Sequence, residues 1–309
     1  MWPKYRYSKS FFDLLIFNLQ KLFSFEDIKE GNHIFVPSAR YAIANILNCF
    51  EFQKKDMIAV GPFSNQCIYN SVGFISTPVP SKMNTEFEAQ LIYHMFGYTY
   101  KSNLNIFTIE DSVDTYLFDQ KELFQNNGRF EIISLPKVTS FCSGAIIYCK
   151  NKEDQKKLNL YFNLKKRDFT FNLQFYLMML NNAKFDFRKN LNHYKKKMPL
   201  RHTEFLSYVY FQSHNYEKEL LKKIEFINDF IEDKPLLSRR LPSSVSLKIN
   251  INKAEEIIKK FPFLYVRTIN NSFEFTKWEL EKKIFLPINQ DISISTLSSL
   301  KYFLKKNEK

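Results

Sequence analysis

The sequence has 309 residues, 45% hydrophobic and 25% charged, with a net charge of +13. That length can bury a full core and suits two domains, and the composition is that of an ordinary globular chain. Cys49, Cys67, Cys142 and Cys149 form no CxxC pair and have no histidine at zinc-ligand spacing, so no metal site is expected, only small buried thiols in a reducing compartment.

Residues 10–29 read as a helix. Its most apolar part, Phe11–Phe17, is broken by Asp13 and followed by Asn18. It is too short to cross a bilayer, and no small-residue cleavage site follows it, so a cytoplasmic protein is expected. His33–Val36 reads as a strand running into Pro37-Ser38-Ala39-Arg40. Tyr41–Phe50 follows as a helix, with Ala42, Ile43, Ile46 and Leu47 on one face. The alternation continues with strand Met57–Val60, helix Tyr69–Phe74 and strand Ser76–Val79. Strands Leu91–Tyr93, Ile106–Ile109, Phe130–Ile133 and Ala145–Tyr148 complete it. Such alternation predicts a mainly parallel sheet with both faces covered. The pattern then changes to helices Phe171–Leu180 and Tyr216–Glu232, strand Ser244–Ile249, helix Ala254–Lys260 and strand Leu264–Thr268. Ile284–Leu286 and a closing helix Ser295–Leu304 end the chain. A large domain over 1–203 and a smaller α+β domain over 204–309 are expected.

Charge is uneven. Lys150 to Arg201 holds 14 Lys/Arg against 4 Asp/Glu. A solvated helical surface explains that, and so does attraction of an anionic ligand or lipid head group. No nucleic-acid recognition motif accompanies it.

Two groups carry chemistry. Glu110-Asp111 closes the apolar run Ile106–Ile109, and Lys137 follows the next run in Ser134-Leu135-Pro136-Lys137. A buried carboxylate at one strand end and a lysine at the next meet the needs of pyridoxal phosphate (PLP). The lysine forms a Schiff base with the aldehyde, and the aspartate keeps the ring nitrogen protonated. Each also has a plainer reading: Lys137 as a surface lysine, Asp111 as a helix cap. The Ser38–Tyr41 corner offers helix N-terminal N–H groups to a phosphate, though a strand–helix turn needs no ligand.

The strings together resemble the DegT/DnrJ/StrS family of sugar aminotransferases. The resemblance rests on Ser38–Ile43, Asp56–Pro62, His94-Met95-Phe96-Gly97-Tyr98 and Ile109-Glu110-Asp111-Ser112. Further on it rests on Ser134–Lys137, Ser143-Gly144-Ala145 and Phe285-Leu286-Pro287. It implies an aspartate-aminotransferase-like (type I PLP) α/β large domain with a smaller α+β C-terminal domain, PLP as cofactor, and a homodimer with the site between subunits. It implies a nucleotide-linked keto-sugar as substrate, an amino-acid donor such as glutamate, and a place in surface polysaccharide or glycan biosynthesis. By the same resemblance Lys137 is the Schiff-base lysine and Asp111 holds the ring nitrogen. The N–H groups of Arg40 and Tyr41, with Ser134, hold the phosphate. His94 lies near the cofactor or substrate, and Phe63 or Gln66 stacks on the ring. The chain departs from the family at Asp114, where Gln or His is usual near the phenolic oxygen. It departs again at Cys142-Ser143-Gly144, and in the short spans Pro78–His94 and His94–Glu110. Arg201, Arg239, Arg240 and Arg267 are each candidates for a donor carboxylate or a diphosphate, although for any single one a surface ion pair is the better reading. A non-catalytic protein of this fold that binds a sugar nucleotide or a partner is the alternative.

Overall fold

The computed structural model describes residues 33–36, 38–62, 64–117, 120–138, 144–162, 216–232, 240–288 and 292–307. The helices expected at 10–29 and Phe171–Leu180, the residues Phe63, Cys142, Ser143, Arg201 and Arg239, most of the basic stretch and the boundary near 203 lie outside these residues.

The large sheet has seven strands: β1 (His33–Val36), β2 (Met57–Val60), β3 (Thr77–Pro80), β4 (Ala89–Tyr93), β5 (Phe107–Asp111), β7 (Phe130–Ser134) and β8 (Ala145–Cys149). Their order is β1-β8-β7-β5-β4-β2-β3. β3, β2, β4, β5 and β7 run parallel, and β8 runs antiparallel to both its neighbours. β4 and β7 are buried along their whole length, as central strands covered on both faces must be. β3 carries Pro78 and Pro80, residues that cannot donate to a ladder and so belong at the sheet edge it occupies.

Helix α1 (Ala39–Cys49) follows β1. Ser38 caps it, its hydroxyl accepting from the N–H of Tyr41 at 3.2 Å. Ala42, Ile43, Ile46 and Leu47 are buried, and the helix packs on β7 and β8. Helix α2 (Gln66–Gly73) joins β2 to β3, α3 (Leu135–Val138) is one turn after β7, and α4 (Lys152–Phe162) follows β8. Gly144 takes a φ of 103°, a conformation that disfavours a side chain. There its carbonyl accepts from the N–H of Leu135 at 3.1 Å, which fixes where α3 begins.

The later residues build the smaller sheet, β10 (Ser244–Leu247), β12 (Leu280–Pro287) and β11 (Tyr265–Asn270), all antiparallel. Helices α5 (Tyr216–Ile227), α6 (Ala254–Lys260) and α7 (Ile294–Asn307) accompany it. Leu220, Ile224, Ile284, Leu286, Leu297 and Leu300 form its core, and Ile133 of β7 joins them. Tyr265, Ile269 and Phe285 reach back into the core of the large sheet.

Two short strands escape the periodicity of the sequence. β6 (Thr115–Leu117) pairs antiparallel with β9 (Arg240–Pro242). This pairing carries Arg240 into the interior, 1% exposed, with its guanidinium 2.7 Å from Glu131 of β7. The guanidinium also donates to the Ser112 hydroxyl and the Glu122 carbonyl. Arg240 is thus committed to a buried ion pair rather than to the surface pair or ligand contact expected for it. Removing either partner would strand a buried charge, at a cost of about 3–5 kcal/mol.

Candidate active site

The parallel strands β4, β5 and β7 end side by side, and open α/β sheets bind ligands at such carboxyl ends. In register, Tyr93 stands beside Asp111, and Asp111 beside Ile132. Strand alternation therefore sends Tyr93 and Asp111 to one face and Ile92 and Glu110 to the other.

On the first face lie Asp111, Asp114, Tyr93 and Lys137. Asp111 and Asp114 are wholly buried. Lys137, on α3, is 21% exposed, and its ammonium lies 2.9 Å from Asp114 Oδ1. The Tyr93 hydroxyl donates to Asp114 Oδ2. Asp111 Oδ1 accepts from the N–H of Val113 at 3.2 Å, while Asp111 Oδ2 and Asp114 Oδ1 are buried with no hydrogen-bond partner among the described residues. Burial pushes the Asp111 carboxyl up to about 6, against the pull of the Lys137 charge and the Val113 N–H, and Glu131 adds to the rise. Buried polar atoms are nearly always bonded, so an unbonded oxygen beside a solvent-reachable lysine marks a ligand position. A ring N–H meeting Asp111 Oδ2 and an aldehyde meeting Lys137 Nζ fit this geometry.

The raised value has a consequence for stability. Because the folded value exceeds the ordinary one, protonated Asp111 favours the folded chain. That contribution is complete below the ordinary 3.8 and is lost as pH rises through about 6. It amounts to about 3 kcal/mol. In urea unfolding of the cofactor-free chain, Asp111→Asn should gain on the wild type by up to that amount between about pH 4 and pH 7. A stability difference that does not move with pH would contradict it.

His94 belongs to the other face. Its Nε2 lies 2.7 Å from Glu110 Oε2, and its Nδ1 accepts from the N–H of Tyr100 at 3.2 Å. The partners thus assign the proton to Nε2. Glu110 also accepts from the N–H groups of Asn126 and Gly128. Burial pushes the Glu110 carboxyl up, but these donors outweigh it and hold the group below the usual carboxylate range. A Cβ on Gly128 would stand 2.5 Å from Glu110 Oε1, so only glycine fits. His94, expected near the substrate, is instead fully buried with both ring nitrogens engaged. It steadies the end of β5 through its own N–H, which donates to the Asp111 carbonyl at 2.9 Å.

Of the expected phosphate donors, the Tyr41 N–H is taken by the Ser38 cap, and the Tyr41 ring is buried against Phe162. Arg40 is half-buried in the first turn of α1. Ser134 is buried at the end of β7, just before the turn that carries Lys137. Gln66, the alternative to Phe63, is exposed at the start of α2 and bonds Asn70. Arg267 of β11 donates to Asn65 at 2.7 Å.

Tyr93 and Tyr265 went unread in the sequence. The Tyr265 hydroxyl donates to Ser244 at 2.7 Å. Burial pushes it above the phenol range and the Asp114 charge adds to that, so it stays neutral. The alternation of β4 could have found Tyr93, which ends an apolar strand as Asp111 ends the next. A separate cleft of about 580 Å³, lined by Thr108, Asn127, Arg129 and Lys150, opens at the opposite end of the strands. There Arg129 is bound to Asp154 at 2.5 and 2.6 Å.

A family model described as "Putative PLP-dependent aminotransferase" matches residues 21–307. No curated protein matches the chain in sequence. In fold the chain is similar to "Putative sugar aminotransferase Spr1654" of Streptococcus pneumoniae in its PLP form. That likeness has 11% identity and a TM-score of 0.61, and covers 96% of each chain. It is similar to a DegT DnrJ EryC1 StrS aminotransferase from Brucella abortus, at 11% identity and TM-score 0.56, covering 93% of this chain and 88% of that one. It is similar to ntda from Bacillus subtilis with bound cofactor PMP, at 14% identity and TM-score 0.55, covering 96% and 82%. These likenesses establish the fold: α/β, of the type I PLP aminotransferases.

Proposed function

This chain belongs to the PLP-dependent aminotransferase family whose model it matches, and on that premise we propose that it moves an amino group from an amino-acid donor to a nucleotide-linked keto-sugar. The observation that carries the site assignment is the unbonded Asp111 Oδ2 in the same buried cluster as Lys137.

When bound, PLP supplies an aldehyde that exchanges amino groups and a ring that takes up electrons from the substrate carbon. Lys137 Nζ would hold that aldehyde and, when released from it, could carry a proton to and from the substrate carbon. Asp111 Oδ2 would accept from the ring N–H, with its burial keeping water from competing. Ser134 and the first turn of α1 would hold the phosphate. Phosphate there would compete with Ser38 for the Tyr41 N–H.

The sugar substrate is supported by the family strings in the sequence and by the name of the fold neighbour from S. pneumoniae. The positive excess of Lys150–Arg201 suits the nucleotide's diphosphate. Glutamate as donor, a glycan pathway and a homodimer enclosing the site complete the proposal. Among the described residues, no helix is long and apolar enough to cross a membrane.

The test is turnover. PLP-loaded protein with glutamate should aminate a nucleotide-linked keto-sugar and lose most of that activity when the nucleotide is removed. Turnover confined to exchange between amino acids and 2-oxo acids would overturn the substrate assignment.

A further inference from the structure

We propose that Asp114 is the proton partner of Lys137: it takes the proton Lys137 must lose to bond the cofactor, and keeps it while that bond lasts. The inference rests on the reading that Lys137 bonds PLP. It concerns a residue that the family resemblance marks only as a departure.

The geometry is direct. Asp114 Oδ1 lies 2.9 Å from Lys137 Nζ as an ion pair, without the alignment of a hydrogen bond, and is close enough to take a proton once the ammonium turns toward it. Asp114 has no exposed surface, so solvent cannot serve it. The charged and titratable groups around it come from six elements, α3, β4, β5, β7, β9 and β11. Tyr93 of β4 donates to its other oxygen. Asp111 of β5 and Asp114 both lie in the field of the Lys137 ammonium. Tyr265 of β11 stands close enough to feel the Asp114 charge and is itself neutral, with Arg267 beyond it. Glu131 of β7, which acts on Asp111, is balanced by Arg240 of β9. Lys137 is therefore set against two buried carboxylates, and Asp111 is the one whose free oxygen awaits the ring nitrogen.

Bonding the cofactor removes that ammonium. Nζ passes one proton to Asp114 and attacks the aldehyde carbon. The aldehyde oxygen leaves as water with the two hydrogens remaining on Nζ. An ammonium and a carboxylate thus become an uncharged nitrogen and a carboxylic acid, and atoms and charge balance. An ionised Asp114 would then be a buried anion with no cation beside it and only the Tyr93 hydroxyl donating to it. By the family resemblance it would also lie near the cofactor's phenolic oxygen, which is on the ring carbon next to the one that bears the aldehyde. Protonated, Asp114 is a donor instead, so the carboxylate that would repel the phenolate becomes a partner for it.

The test is the pH profile of bond formation. The full chain, freed of cofactor, is mixed with PLP, and the bonded fraction is trapped by borohydride at successive times between about pH 6.5 and pH 8.5. In wild type the proton moves within the pair, so the rate should be flat. In Asp114→Asn, Lys137 must lose its proton to solvent, and the rate should rise steeply with pH. Parallel profiles in the two proteins, flat or steep, would overturn the proposal. Should the variant not fold, Nα-acetyl-lysine reacting with PLP supplies the steep reference, and a wild-type profile parallel to it overturns the proposal. Peptide mapping of the trapped wild type separates the two claims. A pyridoxyl group away from Lys137 defeats the cofactor assignment itself. A group on Lys137 with parallel profiles defeats only the role of Asp114.

Discussion

Replacing Lys137 with alanine should abolish amino transfer while leaving the fold in place. The side chain is partly exposed and lies on the single turn α3, and its Nζ contacts Asp114 rather than the apolar core. Its loss removes both the amine that bonds the cofactor and the group that carries the proton at the substrate carbon. A positioned acid–base group alone is worth up to about 10⁴-fold, and turnover should fall by at least that much. The melting temperature should fall by a few degrees, because the buried Asp114 loses its ion-pair partner while the apolar core is untouched. The check is single-turnover amino transfer from glutamate beside a thermal melt. A variant that retains more than a hundredth of wild-type turnover would mean that another amine does the work.

Asp111→Asn should have the second largest effect, and its cause differs. The amide fills the same space and can still accept from the Val113 N–H. It cannot hold a ring nitrogen protonated, so the ring loses its capacity to take up electrons. Losing one such preorganised electrostatic contact costs about 10²–10³-fold in turnover. Cofactor should still bond Lys137, so borohydride trapping remains positive while turnover collapses. Near-wild-type turnover would transfer the role to another carboxylate.

The same residues show what a sequence reveals and what it hides. The strands of the large sheet are legible because most are short, largely apolar runs closed by turn residues, as in Met57–Val60 and Ala145–Cys149. Asp111 and Lys137 are legible because each follows such a run, where parallel strands end. β6 and β9 are invisible because each has three residues and exists only through pairing with a segment far away in the chain. For the same reason nothing local says which member of Arg239-Arg240 turns inward to Glu131. His94 and Glu110 are a subtler case. The alternation of Glu110 and Asp111 already divides the two acids between opposite faces, and His94 follows β4 on the Glu110 side. Reading that period would have taken His94 away from the cofactor and brought Tyr93 toward it. The ion pair of Asp114 with Lys137 needs three-dimensional placement, because the turn after β5 and the turn after β7 meet only once both strands are paired.

The central claim is that Lys137 is the residue that bonds the cofactor. Borohydride reduction of the PLP-loaded protein, followed by proteolysis and peptide mapping, tests it most directly. A single pyridoxyl group on the peptide that carries Lys137, absent from the Lys137→Ala variant, is the predicted result. A pyridoxyl group on any other lysine, or no labelled peptide from protein saturated with cofactor, would contradict it.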